Sequence, residues 1–131
     1  MLSKRKSKLL DEIVRIAQDE FGDIVASATF VYRRAGLAEK VRLLLCDDTI
    51  ADIWINPSGT RYSFHWEQRA KRGLIYRYDN APDFPQLSTF PKHFHNGSET
   101  QIEPSNLSDN PEMAVREFLS FIRKKLNKFE A

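Results

Sequence analysis

The stretch LIYRYDNAPDFPQLSTFPKHFHNG, residues 74–97, decides how the chain is read. Leu74, Tyr76 and Tyr78 alternate with Ile75, Arg77 and Asp79, which is the period of a strand with one face turned inward. The pattern breaks at Asn80 and passes through Pro82, Pro85 and Pro91 before closing on Lys92-His93-Phe94-His95. Proline fixes its own φ and restricts the residue before it, so a loop of defined shape is expected here. Loops this long in small domains more often serve function than connection. Two of the chain's three histidines lie in the stretch, beside Arg77, Lys92, Asp79 and two tyrosines.

Upstream, the same alternation recurs. Ala70-Lys71-Arg72-Gly73 reads as a turn, and before it Tyr62, Phe64 and Trp66 share one face while Arg61, Ser63, His65 and Glu67 share the other. Asn56-Pro57-Ser58-Gly59 is the clearest hairpin signal, because it joins turn residues to alternating runs on both sides. Further strands are expected over residues 49–55, 39–46 and 23–34, with turns at Asp47-Asp48 and Ala35-Gly36. Residues 6–21 carry Leu9, Leu10, Ile13, Val14, Ile16, Ala17 and Phe21 at spacings of three and four, a helix that Gly22 stops.

Downstream, a short sixth strand fits around residues 100–103, followed by a polar linker over 104–109. Asn110 suits an N-cap, Pro111 the first helical position and Glu112 the positive end of the helix dipole. Val115, Phe118, Leu119, Ile122, Leu126 and Phe129 form the apolar stripe of a final helix. The fold class implied is α+β, one antiparallel meander sheet of five to six strands with N- and C-terminal helices packed on one face. A length of 131 residues fits one domain, 1–131, around one core.

Composition narrows the function classes. Hydrophobic residues at 41% and charged ones at 29% describe a globular chain rather than a disordered one. A formal charge of +2 does not by itself point to nucleic acid, but residues 61–77 hold Arg61, Arg69, Lys71, Arg72 and Arg77 against Glu67 alone. Such a patch attracts phosphate; its plain alternative is a solvated sheet face. Cys46 is the single cysteine, which excludes an internal disulfide and a cysteine-rich zinc site, and its setting suggests a buried thiol. No apolar run has the length of a membrane span, and the basic start lacks a signal peptide's continuous apolar core. The expectation is a soluble cytoplasmic protein without membrane contact.

Three chemistries suit the histidines. If the piece around Phe94 is extended, His93 and His95 point the same way. As a metal pair they need a third ligand, for which Asp79 is the nearest carboxylate in the sequence pattern, although His-x-His alone is a weak signal. As acid and base, one takes the proton from a ribose 2′-hydroxyl and the other protonates the leaving oxygen, while Arg77 or Lys92 steadies the phosphorane charge. As structural groups, they hydrogen-bond carbonyls of the proline-rich loop. Tyr76 and Tyr78 offer base-stacking platforms beside Arg77, or belong to the core with Phe64 and Trp66. Arg77 and Asp79 share a face and can pair.

The segments 76–82 (YRYDNAP), 88–97 (STFPKHFHNG) and 114–123 (AVREFLSFIR) together resemble the TumE-like toxin family of prokaryotic type II toxin–antitoxin systems. The likeness covers residues 74–126 well and the earlier strands only in general pattern. It carries over no catalytic residues, and where the family tends to have a further histidine this chain has Lys92. What it implies is a small cytoplasmic toxin encoded near a helix-turn-helix antitoxin that neutralises it. Joined to the residues above, it leads to the expectation of a metal-independent ribonuclease with no cofactor. His93 and His95 would be its acid and base, and Arg77 and Lys92 its phosphate contacts. Tyr78, Asp79, Asn80, Arg69 and Arg72 would hold the RNA substrate. The alternative is a non-catalytic module that binds RNA or protein through the same loop.

Overall fold

The computed structural model describes residues 2–33, 36 and 38–130. Its elements are α1 (Leu2–Glu20), β1 (Val25–Tyr32), β2 (Ala38–Leu45), β3 (Ile50–Ile55), β4 (Tyr62–Gln68), α2 (Arg69–Arg72), β5 (Leu74–Asp79), β6 (His93–Gly97), β7 (Ile102–Pro104) and α3 (Pro111–Glu130). The strands lie side by side in chain order, and every neighbouring pair is antiparallel. This is the α+β meander expected, with seven strands rather than five or six. The additional strand is β6: the His93–His95 piece, expected to close a loop, pairs with β5 instead. Phe94 explains why. It lands opposite Tyr78 and stacks on that ring at 4.2 Å between centroids.

The expected turn before β5 is a single helical turn, α2, ended by Gly73, whose φ of 72° closes an N–H bond to the Arg69 carbonyl. Arg34 and Ala35, at the end of the expected first strand and in the turn after it, lie outside the described residues.

Both long helices pack on one face. Val41, Leu43 and Leu45 of β2, Ala51, Ile53 and Ile55 of β3, and Phe64 and Trp66 of β4 are buried there. They meet Leu10, Ile13, Ile16 and Ala17 of α1 and Val115, Phe118, Leu119 and Ile122 of α3. The indole N–H of buried Trp66 donates to Thr49 Oγ1 at 2.8 Å, so its one polar atom is satisfied. The helix ends are clamped by Arg116 on Glu20 and Arg123 on Asp23, with the Arg123 guanidinium 4.4 Å from the Phe21 ring centre. Cys46, expected to be buried, is exposed: the residues of β2 that turn inward are the odd-numbered ones, and Cys46 follows the opposite parity. No helix among the described residues is long and apolar enough to cross a membrane.

The opposite face is built differently. Register aligns Arg42, Asp52, His65, Arg77 and His95 in one row across β2 to β6. The next row contains Lys40, Trp54, Ser63, Asp79 and His93. The odd–even alternation that buries an apolar face therefore gathers charge and imidazole on the other.

Candidate active site

Asp79 ends β5 and His93 begins β6, and the two are register partners; Arg77 and His95 form the next pair. All four side chains rise from the open face. Residues 80–92 leave the sheet at Asp79 and return at His93 through a succession of turns. These are closed by amide bonds from Asp83 to Ala81, Leu87 to Phe84, Phe90 to Leu87 and Lys92 to Thr89. The loop thus holds a shape, as its prolines require. It folds over the histidines, with the Phe84 ring at 4.8 Å from that of His93 and 6.0 Å from that of His95, edge-on to both. Under this cover Asp79, His93 and His95 are 8%, 1% and 5% exposed, so the charged centre is dry.

The hydrogen bonds fix the rings. His93 Nδ1 lies 3.0 Å from the Pro91 carbonyl and His95 Nδ1 3.1 Å from the Glu99 carbonyl. A carbonyl only accepts, so each Nδ1 carries the proton and each Nε2 is left for chemistry. Both Nε2 atoms face Asp79, at 3.0 Å from Oδ1 for His93 and 3.6 Å from Oδ2 for His95. Oδ1 also accepts the Ala81 amide, and Oδ2 accepts Arg77 Nε at 3.2 Å. Burial pushes the Asp79 carboxyl up, but the donors around it, the Ala81 amide and the Arg77 guanidinium among them, hold it below the usual carboxylate value.

Arg77 joins this centre to a second line of charges. Its Nη2 pairs with Glu99 at 2.7 Å, and its Nη1 lies 3.2 Å from His65 Nδ1. On the far side, His65 Nε2 faces Glu67 Oε1 at 3.0 Å, and Glu67 grips Arg69 at 2.7 Å. His65 therefore accepts at Nδ1 and donates at Nε2. Arg69 holds the Glu67 carboxyl down at about 2 against the penalty of burial, and His65 adds to the effect.

Of the nine residues expected to form the site, Asp79, His93, His95 and Arg77 meet directly, and Arg69 is linked to them through Glu67 and His65. Asn80 stands beside them as a brace, accepting the Tyr62 amide and donating to the Thr60 carbonyl. The remaining three lie elsewhere. Tyr78 faces the helices, edge-on to Phe118 and Phe121, and burial with nearby Glu117 and Glu103 pushes its phenol up to about 12. Lys92 has the opposite parity to His93 and donates to the Leu107 carbonyl and to Asp109. Arg72 binds Asp47 and Gln68 and covers the Phe129 ring at 4.2 Å.

The phosphate-attracting patch expected over residues 61–77 is largely paired in place, with Lys71 also donating to the Asp47 carbonyl. His65, Glu67, Glu99 and Phe84 are the participants that sequence reasoning did not bring to the site. For His65 and Glu67 a signal existed, since they share the non-core parity of β4 with Arg77 and Asp79 across one hairpin. Glu99 and Phe84 carry no such mark. Two clefts, of about 620 and 270 Å³, lie near Pro57 and Pro111 and beside Tyr62 and Asn80 respectively, away from the histidines. Neither cleft is lined by Asp79, His93 or His95, which the loop covers.

The model of the family described as Toxin TumE matches residues 10–126, a span that includes every member of the cluster. No curated protein and no solved structure gives a significant match.

Proposed function

The chain belongs to the TumE toxin family, and from that premise we propose that it is a cytoplasmic ribonuclease toxin that cleaves RNA at the Asp79–His93–His95 cluster. The observation that carries this reading is the convergence of two imidazole Nε2 atoms on one buried carboxylate, beside a guanidinium. Cleaving a phosphodiester needs a group that activates a hydroxyl, a cation for the developing phosphorane charge and a route for the proton to the leaving oxygen. The cluster supplies candidates for each within one hydrogen-bonded unit.

The geometry favours a division of labour other than a free acid–base pair. An acid and a base must flank the scissile phosphate, whereas here both Nε2 atoms turn toward the one Asp79 carboxylate. Arg77, at the exposed edge of the cluster with Glu99, is the phosphate contact in this reading; Lys92, tied to the linker before α3, is not. The antitoxin, expected to be a helix-turn-helix protein, would neutralise the toxin by covering this edge. The whole chain, 1–131, would act as one toxin domain.

The test is incubation of the purified protein with a labelled oligoribonucleotide. Wild type is expected to yield discrete products, and His95→Gln to lower the rate by about 100-fold or more while keeping the wild-type melting curve. Salt-sensitive binding with no product at long incubation would overturn the enzyme and support a binding module.

A further inference from the structure

We propose that Asp79, His93 and His95 are the protein ligands of one first-row divalent transition-metal ion. The proposal deepens the ribonuclease reading by naming what would act at that site, but its ligand geometry stands without it.

The three ligand atoms lie within 4.8 Å of one another. A metal with bonds of 2.0–2.1 Å to tetrahedral ligands sets those ligands about 3.3 Å apart. His93 Nε2 lies 3.0 Å from one carboxylate oxygen, Oδ1, and His95 Nε2 3.6 Å from the other, Oδ2, so both separations are close to that edge. Both imidazoles are oriented as metal ligands are, with Nδ1–H on a backbone carbonyl and the Nε2 lone pair turned into the site. The carboxylate is braced in the same manner by the Ala81 amide and Arg77. Phe84 closes an apolar wall over both rings.

His93 Nε2 separates a metal from the simpler occupant, a proton. It is buried and has no hydrogen-bond partner among the described residues, although Asp79 Oδ1 is only 3.0 Å away. The distance would allow a hydrogen bond; the direction does not. A proton on His93 would not point along the line to the carboxylate, and the 3.6 Å gap at His95 is too long for one. A cation in the middle satisfies all three atoms together. An orphaned buried nitrogen is otherwise costly.

Two imidazoles with one carboxylate suit zinc, manganese, iron, cobalt or nickel, whereas magnesium and calcium prefer all-oxygen shells. Asp79 and Glu99 against Arg77 leave the surroundings net negative, as a dication requires. Three protein ligands leave at least one position for water or a phosphate oxygen.

The test uses the full chain, stripped with a chelator, dialysed and titrated with ZnCl₂ by calorimetry, with MgCl₂ as the control and CoCl₂ for a visible spectrum. One zinc per chain is expected, with a higher melting temperature when saturated and the d–d bands of low-coordinate cobalt. His95→Gln should weaken zinc by more than about 100-fold. Tyr32→Ser, exposed on β1 at the far edge of the sheet, should leave the affinity unchanged. No zinc or cobalt binding by the folded wild type, or equal affinity in folded His95→Gln, overturns the site. If a variant does not fold, the wild-type cobalt spectrum decides. Zinc binding without RNA cleavage upholds the site and refutes the ribonuclease; cleavage by a chain that binds no metal does the reverse.

Discussion

Asp79 and His93 are direct cross-strand partners whose facing atoms stand 3.0 Å apart without the angle of a hydrogen bond. The loop that covers them begins and ends on these two residues, so the sheet fixes the pair and the loop excludes water. That relationship, and not the proline loop alone, makes the site.

Arg77 is expected to be replaceable by no other cation. Its Nε reaches Asp79, its Nη1 His65 and its Nη2 Glu99, three directions that a guanidinium spans and an ammonium does not. Arg77→Gln and Arg77→Lys should both lower the RNA cleavage rate by about 100-fold or more. Cleavage restored by lysine in a single-turnover assay would reduce Arg77 to a point charge.

Lys92 is expected to matter for stability alone. Lys92→Met removes the donor to the Leu107 carbonyl and should cost about 1–3 kcal/mol in urea unfolding. Its cleavage rate, measured well below the melting temperature, should equal that of wild type. A lowered rate with unchanged stability would return Lys92 to the chemistry.

The aromatic layer under α3 separates packing from substrate contact. Phe118 is fully buried against Phe64 and Tyr78, so Phe118→Ala should lose about 3–5 kcal/mol. Tyr78→Phe keeps the ring stacked on Phe94 and should leave RNA affinity unchanged by filter binding. A weaker affinity in Tyr78→Phe would bring that phenol to the RNA.

These outcomes also show how far the sequence could be read. Strands β2 to β5 were legible because Val41, Leu43 and Leu45, then Phe64 and Trp66, alternate cleanly with polar residues, and the final helix because Asn110 and Pro111 mark its start. β6 was not, since His93-Phe94-His95 is short, polar at alternate positions and preceded by prolines. Only pairing with β5 makes it a strand. The site suffers the same gap: Asp79 and His93 are separated by a loop whose length does not reveal that they face each other. Lys92, one residue from His93, looked equivalent to it, yet strand parity sends it to the other side of the sheet.

Acid should weaken the fold through its clamped carboxylates. Burial pushes the Asp52 carboxyl up, but Arg42 and Lys40 hold it below its ordinary value. A group whose pKa is lowered by folding stabilises fully above its unfolded value, about 3.9, and loses that contribution as pH falls through the folded value. Asp52→Asn should therefore be less stable than wild type at pH 7, by about 1 kcal/mol or less for a partly exposed cluster. The difference should shrink below pH 4, followed by urea midpoints. A gap independent of pH would mean that the carboxylate's charge contributes nothing.

The most direct measurement is growth after induction of wild type, His95→Gln and Asp79→Asn, each shown to reach the same soluble level and to melt cooperatively. If the cluster is the toxic centre, wild type arrests growth and both variants allow it to continue. Arrest by either folded variant, equal to that of wild type, would contradict the account and move the toxic site off this face of the sheet.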